Sequence, residues 1–438
     1  MITTPIEKEI VDNALKEAGV TQISKASIRE IKKLINRIEE KSGQKFIRME
    51  MGIPGLPAPK IAVEAEKAAL DAGVACLYPD LDGIPPLKNE ISKFVKKFLD
   101  VNVSPLCCIP TVGSINGAFA TFMVAGRMET QKDTVLFIDP GFPVHKQLVK
   151  ILGLKQESFD VYNFRGDKLK AKLESFLTKG NISTILYSNP NNPSWICFNE
   201  DELKIIGELA TKYDAVVAED LAYFAMDFRK DLSKPGVPPF QHTVAHYTDN
   251  YVLLISASKS FSYAGQRIAM CAISDKLFCS EHKDLLRYYS NPEFGHCLVH
   301  GTVYSTTAGT SHSAQYALTA LLKAVNDGSY DFVKETREYG ERAKILKKMF
   351  TDNGFKIVYD KDIDKPIADG FYFTISYPGL SGEKLLTELL YYGISAISLS
   401  ITGSERSEGL RACVSLIQRS QFTTLEERLK KFKDNTVK

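Results

Sequence analysis

The chain has 438 residues, 44% of them hydrophobic and 25% charged, with a formal net charge of +2. That length exceeds one compact core and predicts at least two domains, and a near-neutral charge spread along the chain offers no patch for nucleic acid or a membrane surface. No apolar run approaches the roughly 20 residues of a membrane span, and the opening MITTPIEKEI carries acids and bases where a signal peptide needs an apolar core. The cysteines form no CxxC pair. Cys76, Cys271 and Cys413 lie in apolar runs and read as buried thiols of a reducing compartment, which predicts the cytoplasm.

In chain order, Ile28, Ile31, Leu34, Ile35 and Ile38 recur at helical spacing among lysines and glutamates, and predict an amphipathic helix. Met49 to Pro59 is rich in glycine and proline and reads as a loop. From Thr111 to Ser274 short apolar runs alternate with helical patterns: Thr134–Ile138, Thr184–Tyr187, Ala215–Ala218, Val252–Ile255 and Ile268–Ile273. The clearest intervening helix is Glu200–Lys212, with Asn199 and Glu202 as an N-terminal capping pair. Such strands predict an α/β fold with a mainly parallel sheet covered by helices on both faces. After Gly328 the texture changes to a long charged helix, Tyr330–Phe350, and then short strands at Lys356–Tyr359, Phe371–Ser376 and Leu410–Leu416, as in a smaller α+β domain. The expected division is an N-terminal helical arm over residues 1–50 that joins the small domain, a large domain over 51–328, and the small C-terminal domain over 329–438.

Ligands of open α/β sheets sit at the carboxyl ends of the strands, and polar clusters fall there in this chain. They are Asp139-Pro140-Gly141-Phe142, Ser188 to Ser194, Glu219-Asp220-Leu221-Ala222-Tyr223, and the run from Ser256 to Arg267 that holds Lys259. A lysine at a strand end, among small hydroxyl residues and followed by an arginine, suits an amine that binds a phosphorylated aldehyde. Any one lysine is more often a solvated surface group; the four clusters together carry the argument. They point to pyridoxal phosphate. Asp220 would keep the pyridine nitrogen protonated, Asn192 and Tyr223 would bond the phenolic oxygen, and Phe142 would stack on the ring. Gly113, Ser114 and Ile115, ahead of the helical pattern Ala118–Ala125, would offer backbone N–H groups to the phosphate, with Ser256, Ser258 and Arg267 completing the cradle. For Lys259 to act as a nucleophile its pKa must fall from about 10.4; desolvation and the neighbouring Arg267 would drive that. Arg411, in Gly409-Leu410-Arg411, would clamp a carboxylate.

These residues resemble the class I/II aminotransferases of the fold-type-I pyridoxal-phosphate superfamily, over about Ile47 to Leu416. The resemblance implies a seven-stranded-type sheet in the large domain. It also implies that Lys259 forms an imine with the cofactor and that an amino group passes from an L-amino acid to a 2-oxo acid in two half-reactions. It maps Asn-Pro-x-Asn-Pro-Ser to Asn192, Asp-x-Ala-Tyr to Asp220 and Tyr223, Ser-x-Ser-Lys with its trailing arginine to Ser256, Ser258, Lys259 and Arg267, and the carboxylate-gripping arginine to Arg411. Gly52 corresponds to a glycine lining the substrate carboxylate site, and Tyr78 to a tyrosine that reaches the phosphate of a partner subunit, so a homodimer with shared sites is implied. Trp195, the only tryptophan, stands where the family carries glycine, which implies a different local backbone or a covered pocket mouth. The Tyr263-Ala264-Gly265-Gln266 loop and the Ser398–Glu408 segment also depart from the family pattern.

A lyase on the same scaffold, of carbon–sulfur β-lyase or cyclopropane-forming type, shares all of these groups and stays open; a cofactor-binding regulator would need a DNA-binding domain ahead of the fold. The pairs His242/His246 and His296/His300 share i, i+4 spacing without an HExxH pattern, so no metal site is expected. A dicarboxylate donor would need a second cation, for which Arg287 is a candidate, whereas the aromatic supply (Phe142, Trp195, Tyr223, Tyr263, Tyr288, Tyr289) leans toward an apolar or aromatic donor.

Overall fold

The computed structural model describes residues 3–436. The chain divides into two compact units. The larger comprises Leu56–Asn191 and Cys197–Thr336; the smaller takes the residues up to Gly55, the segment Asn192–Ile196 and those from Arg337 onward. The smaller unit thus reaches into the middle of the chain for five residues that the expected division assigns to the large domain.

The large unit is built on a seven-stranded sheet. Its strands are β1 (Cys108–Thr111), β2 (Thr134–Asp139), β3 (Lys155–Asp160), β4 (Ile182–Ser188), β5 (Val216–Asp220), β6 (Tyr251–Ser256) and β7 (Ala269–Ile273). They lie in the order β1-β7-β6-β5-β4-β2-β3. Pairings from β6 through to β3 are parallel, and only β7 runs against the rest. Every residue of β2, β4, β5 and β6 is buried, as expected of strands covered on both faces. Beside the sheet, Phe94, Phe224, Phe261 and Phe332 form an aromatic cluster with centroid separations from 5.0 Å for Phe94–Phe224 to 6.3 Å for Phe224–Phe332.

The Glu200–Lys212 helix starts where expected: the Asn199 side chain accepts from the Glu202 N–H at 2.9 Å, and the Glu202 carboxylate accepts from the Asn199 N–H at 3.2 Å. Another helix begins earlier than its apolar pattern, at Gly113 rather than Ala118, and runs to Ala125. Gly113 to Ile115 therefore form its first turn, with their N–H groups unclaimed by the helix.

In the smaller unit the strands Ile397–Ser398, Leu410–Cys413, Tyr372–Ser376 and Lys356–Ile357 form an antiparallel sheet in that order. Ile47–Arg48 pairs in parallel with Ile394–Ser395. The helix Ile28–Ser42 buries Ile31, Leu34, Ile35 and Ile38, and Ser27 with Glu30 closes a capping box at its start. Among the described residues no helix is long and apolar enough to cross a membrane. All eight cysteines are free thiols; Cys76, expected in the core, is exposed because its apolar run ends in the short 3-10 turn Val74–Cys76 on the surface.

Candidate active site

In the large unit the neighbouring parallel strands β2, β4, β5 and β6 end along one edge of the sheet, which gathers Asp139–Phe142, Ser188–Asn191, Glu219–Tyr223 and the run from Ser256 to Arg267. β1 joins them at the other side of β7: Thr111 and Ser256, the last residues of β1 and β6, both pair with Ala269. The helix opening at Gly113 therefore stands beside the Ser256–Lys259 turn.

Arg267 closes this corner. Its Nη1 donates to the Ala264 carbonyl at 3.0 Å and to Ser258 Oγ at 3.5 Å. Gly113 has φ +73°, and a Cβ there would stand 2.4 Å from Arg267 Nη2. Only glycine lets the helix N-terminus and the guanidinium come so close. Helix N–H groups, a guanidinium and the hydroxyls of Ser256 and Ser258 make a cradle suited to a phosphate.

Lys259 lies in the short helix Ala257–Ser260 that leaves β6 and is half-buried. Its neighbours hold the backbone: the Ser258 N–H donates to Ser256 Oγ at 3.1 Å, Ser260 Oγ donates to the Phe224 carbonyl at 3.0 Å, and Phe261 is buried in the aromatic cluster.

Asp220 ends β5, 6% exposed. Its Oδ1 accepts one backbone N–H, from Ala222 at 3.1 Å, while Oδ2 lies 3.9 Å from His145 Nε2. Burial pushes the Asp220 carboxyl up to about 7, the Ala222 hydrogen bond opposing only in part. Burial likewise holds the His145 imidazole down at about 4, so at neutral pH it is uncharged and gives Asp220 no counter-ion. His145 Nδ1 is itself buried with no hydrogen-bond partner. A cationic N–H presented to Asp220 would satisfy the carboxylate, and a pyridinium is such a group; the residues fit pyridoxal phosphate at both its phosphate and its ring nitrogen. His145 was missed in the sequence. The available signal was a histidine in the first turn of the Pro143–Ile151 helix, directly after a polar strand end. Phe142, half-buried, meets the His145 ring edge-on at 5.6 Å, and Tyr223 is buried in the turn after Asp220.

In the smaller unit Arg411 sits mid-strand, 1% exposed. Nη2 donates to the Glu50 carbonyl at 2.7 Å and Nη1 to Asn192 Oδ1 at 3.3 Å, whereas Nε has no hydrogen-bond partner. The Glu50 carboxylate is engaged by Arg48 at 2.8 Å and by the Ser395 hydroxyl. No carboxylate among the described residues pairs with Arg411, and a buried guanidinium without a counter-ion is costly unless an anion arrives. Gly52 packs directly against the Tyr372 hydroxyl, 2.0 Å from where a Gly52 Cβ would lie.

The local sequence departure resolves differently from expectation. Trp195 has φ +64°, so the backbone keeps the left-handed conformation that suits glycine. Its indole is fully buried, 6.1 Å from the Tyr372 ring and hard against Gly370, where a Cβ would fall 1.9 Å from the indole. Burial of the indole offsets the backbone strain.

Comparison with known proteins agrees with this arrangement. A family profile described as aminotransferase class I and II matches residues 45–429. The chain belongs to the class I and II aminotransferases. A probable aspartate aminotransferase of Methanocaldococcus jannaschii is 26% identical over 328 residues, covering 75% of this chain and 77% of that one. The LL-diaminopimelate aminotransferase of Natranaerobius thermophilus is 24% identical, covering 74% and 76%. A solved structure of alanine aminotransferase from Pyrococcus furiosus superposes with a TM-score of 0.75 at 20% identity, over 96% of this chain and 99% of that one, and shares the fold.

This aminotransferase is thus a pyridoxal-phosphate-dependent enzyme that transfers amino groups. Of its remaining candidate residues, Tyr78 is 91% exposed. Arg287 is exposed, 3.8 Å from Asp284 and stacked on Tyr288. The two histidine pairs have different settings. His242 and His246 are not on one helix, because His242 precedes the short 3-10 turn Val244–His246; the His296 and His300 rings lie 4.8 Å apart in a helical segment.

Proposed function

We propose that the aminotransferase moves the amino group of an L-amino acid to a 2-oxo acid through the residues gathered above, in two half-reactions. Pyridoxal phosphate, when bound, supplies the electron sink that stabilises negative charge at the donor's α-carbon. Asp220 holds the proton on the pyridine nitrogen. Asn192 and Tyr223 bond the phenolic oxygen, Phe142 covers the ring, and Gly113, Ser114, Ile115, Ser256, Ser258 and Arg267 take the phosphate. Lys259 Nζ binds the aldehyde and, once the donor amine has displaced it, carries the proton from the α-carbon. Arg411 and the backbone at Gly52 grip the α-carboxylate. The observation that carries this reading is that the two buried charges, Asp220 and Arg411, each lack a counter-ion among the described residues. A pyridinium and a substrate carboxylate would supply them.

The deciding experiment is the absorbance spectrum of the enzyme with pyridoxal phosphate, followed as single amino acids are added without a 2-oxo acid. Conversion to the aminated cofactor, reversed by a 2-oxo acid, supports transamination. An unchanged band with accumulating ammonia and pyruvate overturns it in favour of a lyase. An apolar or aromatic donor is part of the proposal, because Arg287 is tied to Asp284 on the surface. Faster turnover of aspartate or glutamate than of phenylalanine, tyrosine, leucine or methionine overturns that part.

A homodimer that shares its sites also belongs to the proposal, supported by the exposed rings of Tyr78, Tyr288 and Tyr304. Co-expressed Lys259→Ala and Tyr78→Ala chains test it: shared sites give a hybrid with one intact site and activity above either parent, and independent sites give none. Cytoplasmic residence is supported by the eight free cysteines.

A further inference from the structure

We propose that Tyr372 is the positioning residue for Arg411, its ring serving as the platform on which the guanidinium is held flat for a substrate carboxylate. The inference rests on the reading of Arg411 as the carboxylate clamp.

The strand register makes the contact. Arg411 pairs with Thr374, so Tyr372, two residues away along the neighbouring strand, is its diagonal neighbour on the same face of the sheet. The guanidinium carbon lies 4.6 Å from the Tyr372 ring centroid. At that distance a cation over the ring face is attracted by the ring quadrupole, and the attraction strengthens away from water. The two hydrogen bonds of Arg411 fix its Nη atoms but leave the plane free to tilt; the ring beneath removes that freedom.

Tyr372 is itself held. On one side the Trp195 indole meets its ring at an interplanar angle of 64°, and at its far end the hydroxyl abuts Gly52. Trp195 can occupy that place only because Gly370, two residues before Tyr372, has no side chain. The tryptophan that replaces glycine here is therefore a buttress of the clamp, acting through Tyr372. A planar fork gives two parallel bonds to a carboxylate only when its plane is set, so the platform should act on carboxylate affinity and leave the chemistry at the α-carbon alone.

The test compares Tyr372→Leu, Tyr372→Phe and Arg411→Leu in the holoenzyme. Steady-state kinetics use the best donor, binding of a simple carboxylate inhibitor is measured, and single-turnover rates use an amine that has no carboxylate. Tyr372→Leu is expected to raise the donor KM and the inhibitor Kd about 5- to 30-fold with kcat changed less than twofold, and to leave the carboxylate-free amine unaffected. Tyr372→Phe, which keeps the ring face, should restore wild-type values. Equal losses for the amine without a carboxylate, or a Tyr372→Phe as impaired as Tyr372→Leu, overturn the platform. Should Tyr372→Leu not fold, Tyr372→Met, unbranched and better able to fill an irregular gap, replaces it with the same expectations. If Arg411→Leu leaves the donor KM unchanged, the clamp reading fails and takes the platform with it. If Arg411→Leu raises KM while Tyr372→Leu does not, the platform alone fails.

Discussion

Asp220 in the large unit and Arg411 in the small one are both buried charges without a counter-ion among the described residues, yet they are held by different means. Asp220 stands at the end of a parallel strand, where the backbone topology itself delivers it to the sheet edge beside the ends of β4 and β6. Arg411 stands within an antiparallel strand and is aimed by side chains: a tyrosine beneath it, a carbonyl and an amide at its Nη atoms, and a tryptophan behind. Topology holds a group with little help from its neighbours. Packing holds it only while every neighbour keeps its shape. The large unit should therefore answer substitution with lost chemistry, and the small unit with lost affinity or stability.

The largest effect is expected at Lys259. Replacement by alanine should cut turnover by at least about 10²–10⁴-fold, the usual worth of a positioned proton-transfer group, with the circular dichroism spectrum and melting temperature little changed. Turnover near the wild-type rate would break the assignment of the sheet edge. Arg411→Leu should act the other way, raising the donor KM and costing about 3 kcal/mol in kcat/KM, the upper range for a charged hydrogen bond. A loss confined to kcat would erase the contrast between the two units.

Asp220 sharpens the comparison through pH. Its native pKa lies near 7 against an ordinary 3.8, so between about pH 4 and 7 the native state binds more protons than the unfolded chain. Stability of the cofactor-free protein attributable to Asp220 therefore falls as pH rises through that window. Asp220→Asn removes this dependence. Its stability relative to wild type should grow from pH 4 to 7 by up to about 4 kcal/mol, read from denaturant melts. A difference independent of pH would mean that Asp220 ionises without cost.

In the small unit the Trp195–Gly370 contact should show as coupling. Gly370→Ala places a Cβ against the indole and should cost about 1–3 kcal/mol of overpacking, most of which should vanish in a Trp195→Gly background. Additive effects would show that the indole has room to move. The smallest effect is expected far from either charge, at Ser27, where alanine should cost about 1 kcal/mol through the lost cap.

Local signals in the sequence translated directly. The Asn199/Glu202 cap, the amphipathic face of Ile28–Ser42 and the continuously apolar strands β2, β4, β5 and β6 each depend on residues within a few positions of one another. The edge strands were only partly legible. β3 reads KQESFD, since a strand paired on one side only can leave polar residues outward, and β1 is short and contains Pro110, which an edge tolerates. The helix N-terminus near Gly113 was legible but its first residue was not, because glycine has poor helix propensity and the close approach of Arg267 explains the Gly113 position.

By itself, then, the sequence determined the α/β alternation, the order of the polar strand ends and the motif residues Asn192, Asp220, Lys259 and Arg267, because each is written in short-range pattern. Tertiary structure alone decided that His145 stands beside Asp220 as a neutral ring, that Trp195 occupies a glycine's backbone conformation, and that Tyr372 lies beneath Arg411. Each of those contacts joins positions far apart in the chain, and burial and register exist only once the chain has folded.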